Sequence, residues 1–235
     1  MNYLDLLAAM GTGDAHPGGF AATIEQFKRH PLPADAHILE IGCGTGRTAC
    51  HLAQLGYLVT AIDLRRDMIE KAKIRAERSH TKVQFLAADA KELPFPRDSF
   101  DVVIAESVTI FAGAASIDEY YRVLKPGGVL YDREIVSIGS LSEAAQCQIH
   151  RFYGVSHLWG IDKWKEELNS RPFRRMVIEG PLPFPKNVPT IADPLQQSDP
   201  KLYEKPETWE IIAAYEEIMS AYEDSLGYAL IVAVK

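Results

Sequence analysis

Three glycines and a set of carboxylates at strand ends are the residues from which chemistry can be read in this sequence. The run Ile38-Leu39-Glu40-Ile41-Gly42-Cys43-Gly44-Thr45-Gly46 sets glycines at alternating positions directly after a short apolar stretch. Glycines there let the turn bend tightly and let a ligand approach the backbone with no Cβ in the way. The helix opened by such a turn offers free N–H groups and a positive dipole end to a carboxylate or phosphate. Glu40, at the strand end, suits a ligand that carries an ammonium group and suits a pyrophosphate poorly. A dinucleotide fingerprint, Gly-x-Gly-x-x-Gly, would need glycine at 47, where Arg47 stands. Asp63 lies 21 residues after Gly42, the spacing at which an acidic side chain accepts hydrogen bonds from both ribose hydroxyls.

These residues need strands and helices to hold them. Ile38 to Ile41 reads as a buried strand, followed by a helix with Leu52 and Leu55 on one face and Gly56 as its C-cap. Leu58 to Ile62 is a second strand, closed by Asp63, and Val83 to Ala88 a third, closed by Asp89. Between them Arg65 to Arg78 is an amphipathic helix with Met68, Ile69, Ala72 and Ala76 facing in. Phe100 to Ala105 is the fourth strand. Ser116 with Glu119 reads as a capping box that opens a helix over Asp118 to Leu124. A turn at 124–128 leads into a fifth strand, Val129 to Val136, whose Asp132-Arg133-Glu134 makes its far end polar.

Helices over Leu141 to Phe152 and Asp162 to Ser170 and a sixth strand over Arg175 to Glu179 come next. Pro181 to Pro206 is a long proline-rich loop. A helix over Glu207 to Asp224, with Ile211, Ile212, Tyr215, Ile218, Met219 and Tyr222 as its apolar stripe, precedes the last strand, Tyr228 to Val234. At the other end of the chain, residues 1–15 form a short amphipathic segment, and a helix runs from Ala21 to His30 with Ile24 and Phe27 inward.

The ordered motifs Ile38–Gly46, Ala61-Ile-Asp-Leu64 with Asp67–Ala72, Ala87-Ala-Asp-Ala90 with Leu93-Pro-Phe95, Ser99–Val103 and Leu124-Lys-Pro-Gly-Gly128 resemble those of the class I S-adenosylmethionine-dependent methyltransferases. The small-molecule type often called methyltransferase type 11 is the nearest likeness. It covers about 38–136, the cofactor half. The resemblance implies an α/β fold: a Rossmann-like, doubly wound, seven-stranded sheet with the last strand antiparallel. The chain reads as one domain over 1–235, in which the N-terminal helical segment of 1–30 is either a lid over the cleft, as in many proteins of the family, or a helix packed on the domain edge, 137–158 is a cap elaboration, and 181–225 is a second one where the family has a short hairpin. The last of these could cover the pocket or build a homodimer face.

Chemistry and resemblance together assign the cofactor side. Gly42, Gly44 and Gly46 give backbone access to the methionine portion, and Glu40 attracts its ammonium. Asp63 holds the ribose diol, Leu64, Met68 and Ala90 contact adenine, and Asp89 accepts from the adenine amino group. Glu106, at the end of the fourth strand, falls near the methyl group and could act as a base, hold a cationic or amine substrate or only turn the chain. Tyr3, His16, Glu106, Arg133 and His157 are the substrate-side and catalytic candidates. His16-Pro-Gly-Gly is similar to a turn that relatives place near the methionine end; a plain helix-opening turn is the alternative. Arg65-Arg66 replaces the family's Ser-Pro and sets two charges at the adenosine edge. Arg133 and Glu134 are either substrate contacts or an internal ion pair.

Methyl transfer from a sulfonium has a neutral, excellent leaving group, so the enzyme mainly binds, aligns and excludes water. That chemistry needs few signature residues, which is why a cofactor-binding protein without transferase activity is the second reading. Net charge is −7 over 235 residues, with no block of Lys and Arg, which argues against a nucleic-acid partner. No apolar run reaches the roughly 18 residues of a membrane span. Three cysteines without metal spacing, and no signal-peptide pattern, fit a cytoplasmic enzyme acting on a small molecule. Cys147, His150 and His157 lack an acidic partner for a metal.

Overall fold

The apolar runs at 38–41, 59–62 and 102–105 form the centre of a seven-stranded sheet. The computed structural model describes residues 1–155, 158–184 and 191–235. In chain order the elements are α1 (Tyr3–Met10), α2 (Gly19–Arg29), β1 (His37–Ile41), α3 (Arg47–Gln54), β2 (Leu58–Asp63), α4 (Arg66–Arg78), β3 (Val83–Ala87), β4 (Phe100–Glu106), α5 (Thr109–Ala112), α6 (Ala114–Val123), β5 (Leu124–Ser137), α7 (Glu143–Tyr153), α8 (Ile161–Asn169), β6 (Arg175–Pro183), α9 (Pro206–Ala221) and β7 (Leu226–Val234). No helix among the described residues is long and apolar enough to cross a membrane.

The sheet order is β3-β2-β1-β4-β5-β7-β6. Strands β1 to β5 run parallel, and β7 is antiparallel to both β5 and β6. Helices cover both faces, so the central strands are continuous apolar runs. Side chains alternate between the faces. Leu39, Ile41, Val103, Ala105 and Leu130 pack against Ile117, Tyr120 and Trp164 of α6 and α8. Ile38, Val59, Ala61, Val102, Ile104 and Tyr131 pack against Ala49, Leu52 and Ile69 of α3 and α4. The strand order reverses between β1 and β4, so a crevice opens at their carboxyl ends. Glu40 and Glu106 fall on the α3/α4 face of that crevice, because they continue the alternation of Ile38 and Ile104.

Four local expectations are corrected. Ser116 does not cap: α6 begins at Ala114 after Gly113, and the Ser116 hydroxyl donates to the Gly113 carbonyl. Glu119 instead accepts from the Leu93 amide and pairs with Arg122. Leu55 is the C-cap of α3 and is exposed. The buried face of α2 is Phe20, Thr23 and Gln26, and Ile24 is not part of it, whereas Phe27 packs partly buried against the core beside Tyr131 as expected; Thr23 and Gln26 are polar because they meet charged groups on the sheet. The expected loop at 181–206 begins as strand, since β6 runs to Pro183, and part of it falls outside the described residues. Residues 191–205 lie across α1, α3 and α4 through hydrogen bonds and ion pairs.

Candidate active site

A cavity of about 270 Å³ opens at the carboxyl ends of β1, β2 and β4. Glu40, Gly42, Gly44, Asp63, Leu64, Met68, Asp89, Ala90, Glu106, His16 and Tyr3 all line it. Gly46 and Arg133 do not, and His157 lies outside the described residues. Gly46 answers to packing: a Cβ there would stand 2.9 Å from the Ala72 Cβ and 3.0 Å from the Phe85 ring. A Cβ on Gly44 would face open space, with the Thr12 carbonyl oxygen at 3.8 Å as its nearest neighbour.

The Asp63 carboxylate braces the glycine turn. One oxygen accepts the Gly44 amide at 2.9 Å and the other the Arg65 amide at 2.8 Å. Burial pushes its pKa up, against the pull of those two amides. Glu40 is buried, and its Oε2 has no hydrogen-bond partner among the described residues. Burial, then the charges of Glu106 and Asp63, lift its pKa well above the usual carboxylate range. Met68 and Ala90 give the cavity an apolar side, and Leu64, 71% exposed, forms its rim. Asp89 accepts the Lys91 amide at 2.9 Å.

A family model described as a methyltransferase domain matches residues 38–128. Over 235 residues the chain is 33% identical to the uncharacterized methyltransferase YodH of Bacillus subtilis, covering 99% of each. The chain belongs to the class I S-adenosylmethionine-dependent methyltransferases. The enzyme is also 32% identical over 171 residues to methyltransferase GfsG of Streptomyces halstedii, covering 65% of this chain and 62% of that one. Among solved structures, phosphoethanolamine N-methyltransferase 2 of Haemonchus contortus, in complex with phosphomonomethylethanolamine and S-adenosylhomocysteine, shares the fold with a TM-score of 0.78 at 22% identity. That likeness covers 98% of this chain and 57% of that one.

On one side of the methyltransferase's cavity stands a buried polar cluster centred on Glu106. Its Oε1 accepts the Thr23 hydroxyl at 2.8 Å and its Oε2 the Thr48 hydroxyl at 3.4 Å. His16 Nε2 stands 3.5 Å from Oε2 and 3.3 Å from the Thr23 hydroxyl. Its Nδ1 faces the Pro17 backbone without a well-formed hydrogen bond. Burial lowers the His16 pKa, against the opposing pull of Glu106. Arg133, predicted as a substrate contact, is buried away from the cavity with its Nε 3.5 Å from Glu106. Its Nη2 donates to Gln26 at 2.7 Å and to the Ala22 carbonyl at 3.1 Å, so it ties α2 to the sheet.

Glu134 is neither a substrate contact nor a partner of Arg133, because strand alternation sends the two to opposite faces. Glu134 Oε1 accepts the Val108 and Thr109 amides, both at 2.7 Å, and so caps α5. Asp132 shares its face and accepts the Thr109 hydroxyl at 2.7 Å. Burial raises Asp132 to about 7 and, together with the neighbouring Asp132 charge, raises Glu134 well above its usual value.

The sequence reading missed the groups that close the cavity. Arg47 pairs with Asp14 at 2.6 Å and donates to the carbonyls of Ile191 and Ala192. Arg75 meets Asp193 with two bonds of 2.6 and 2.8 Å, both side chains almost fully buried. Lys71 reaches the carbonyls of Ala8 and Gln197. The 191–199 strap thus clamps α1 over the cleft, and Arg65 adds a 2.7 Å pair with Asp5 of α1. The only signals for this in the sequence are Arg47 in place of a glycine and Arg75 amid the inward positions of α4. Cys147, on α7, is exposed, and among the described residues no group of three His, Cys, Asp or Glu could hold a metal.

Proposed function

We propose that the cavity binds S-adenosylmethionine with its methionine portion at Glu40, Gly42 and Gly44, its ribose at Asp63, and its adenine between Met68, Ala90 and Asp89, and that the methyl group goes to a small molecule. The carrying observation is Glu40 Oε2, a buried carboxylate oxygen with no hydrogen-bond partner among the described residues, lining a cavity beside the open face of Gly44. A buried unpaired carboxylate is costly, and an ammonium group is the partner that would satisfy it. Asp63 has two lone-pair positions left after its two amides, enough for two hydroxyl donors. The residues present therefore fit this cofactor.

The bound cofactor supplies a methyl group activated on a sulfonium. The chain's own contribution is to orient and enclose. α1 and the 191–199 strap exclude water. The Thr23, Thr48 and Arg133 contacts fix the Glu106 carboxylate at the cavity wall. A cavity of this size, closed by the chain's own helix, suits a metabolite rather than a polymer, and the three free cysteines suit a reducing compartment. Calorimetry with S-adenosylhomocysteine tests the reading: a micromolar-range dissociation constant is expected, and no heat of binding to the folded protein at millimolar ligand would reject it.

A further inference from the structure

The two ends of the cavity differ in character. At the Asp63 end carboxylates and apolar residues alternate. At the other end Tyr3 of α1, Ile110 and Phe111 of α5 and Tyr153 of α7 form one continuous apolar wall. The Tyr3 and Tyr153 rings meet edge to face at 4.9 Å, and Ile135 of β5 adds to this wall from the sheet.

Where this wall meets the sheet, the polar groups are His16, Glu106 and Ser107. Glu106 and Ser107 can accept a hydrogen bond, while His16 Nε2 points at Glu106 and Thr23. The Ser107 hydroxyl is buried and has no partner among the described residues. Its backbone has φ +58, a left-handed conformation that a non-glycine residue keeps only where its surroundings enforce it, often at a binding site. His16 is held toward its neutral form by burial.

Among the described residues no cation serves this end. Among the described residues, the cations lining the cavity are Arg65 and Lys91. Arg65 is engaged by Asp5 and Asp67, and Lys91 stands 3.8 Å from Asp89. Arg133 lies behind Glu106. An anionic ligand would lose its hydration, meet Glu106 and gain no counter-charge.

We infer that the acceptor end of the site takes an uncharged, largely apolar, ring-bearing molecule whose hydroxyl or amine donates hydrogen bonds to Glu106 and Ser107, and that it rejects phosphorylated and carboxylated acceptors. The inference rests on the reading that the cofactor occupies the Asp63 end.

The test uses the full chain saturated with S-adenosylhomocysteine, with 1-naphthol and 1-naphthoate as probes in equilibrium dialysis near neutral pH. Binding of S-adenosylhomocysteine is measured first; its failure counts against the functional reading and is seen before any probe is added. With that ligand bound, naphthol is expected to bind at least about tenfold more tightly than naphthoate. Phe111→Ala should weaken naphthol by about fivefold or more while S-adenosylhomocysteine stays within about threefold. The wild-type comparison stands by itself should that variant fold poorly. Naphthoate binding as tightly as naphthol, or no naphthol binding at roughly 1 mM, overturns the inference.

Discussion

Replacing Asp63 perturbs two things at once, and the structure separates them. The carboxylate offers about four acceptor positions, of which the Gly44 and Arg65 amides take two. The remaining two are those assigned to the ribose. Asp63→Ala removes both ligand bonds, each worth roughly 1.5–3 kcal/mol with incomplete additivity. A net loss of about 2–4 kcal/mol corresponds to a fall in S-adenosylhomocysteine affinity of about 30- to 700-fold. It also orphans two turn amides, a cost offset in part by removing a carboxylate whose pKa burial has raised. From composition alone Asp63→Asn looks milder, since it keeps one acceptor. The geometry argues otherwise: whichever way the amide turns, its NH2 faces a backbone N–H. The asparagine variant should therefore fall at least halfway to the alanine variant. Calorimetry on the three proteins, with circular dichroism to establish folding, reads both effects. A folded Asp63→Ala protein that binds within about threefold of wild type would refute the placement of the ribose.

Asp132 gives a pH prediction. Its folded-state pKa, about 7, is raised above the unfolded value, so the stability held by its proton is full below about pH 4 and is lost as pH rises through about 7. Asp132→Asn should flatten that loss, gaining roughly 1–3 kcal/mol on wild type between about pH 5 and 8 in urea titrations; identical pH slopes would contradict it. Gly46→Ala should cost about 2–4 kcal/mol, because its Cβ meets Ala72 and Phe85 at φ +76. Gly44→Ala, with open space around its Cβ, should cost only about 1 kcal/mol of stability yet weaken S-adenosylhomocysteine binding; thermal melts that rank the two the other way would refute the distinction. Asp193→Asn breaks the buried pair with Arg75, and losing about 1.4 kcal/mol of latch would make the open lid tenfold more populated. Stopped-flow dissociation of S-adenosylhomocysteine should speed up by about that factor, and an unchanged rate would show that the strap does not gate the cleft.

The parts legible in the sequence were those with a local period or a fixed spacing. The β1 run, the glycine turn, and Asp63 and Asp89 at strand ends follow from short-range pattern, and the cavity lies where they predict. Gly46 follows the same spacing, yet it answers to helix–strand packing, which spacing cannot distinguish from ligand access. The polar face of α2 escaped because inward positions were sought among apolar residues, while Thr23 and Gln26 turn inward to meet Glu106 and Arg133. Arg133 and Glu134 looked like neighbours at one cleft; strand alternation parts them, and which face each takes depends on the register with β4 and β7. The Arg75–Asp193 pair joins residues far apart in the chain, and no local pattern announces such a partner.

The central claim is the orientation of the cofactor in the cleft, and a crystal structure of the enzyme with S-adenosylhomocysteine tests it most directly. The account predicts both ribose hydroxyls within hydrogen-bonding distance of the Asp63 carboxylate, the amino group beside Glu40, and adenine against Met68 and Ala90. A complex with its ribose away from Asp63, or its amino group away from Glu40, would contradict it.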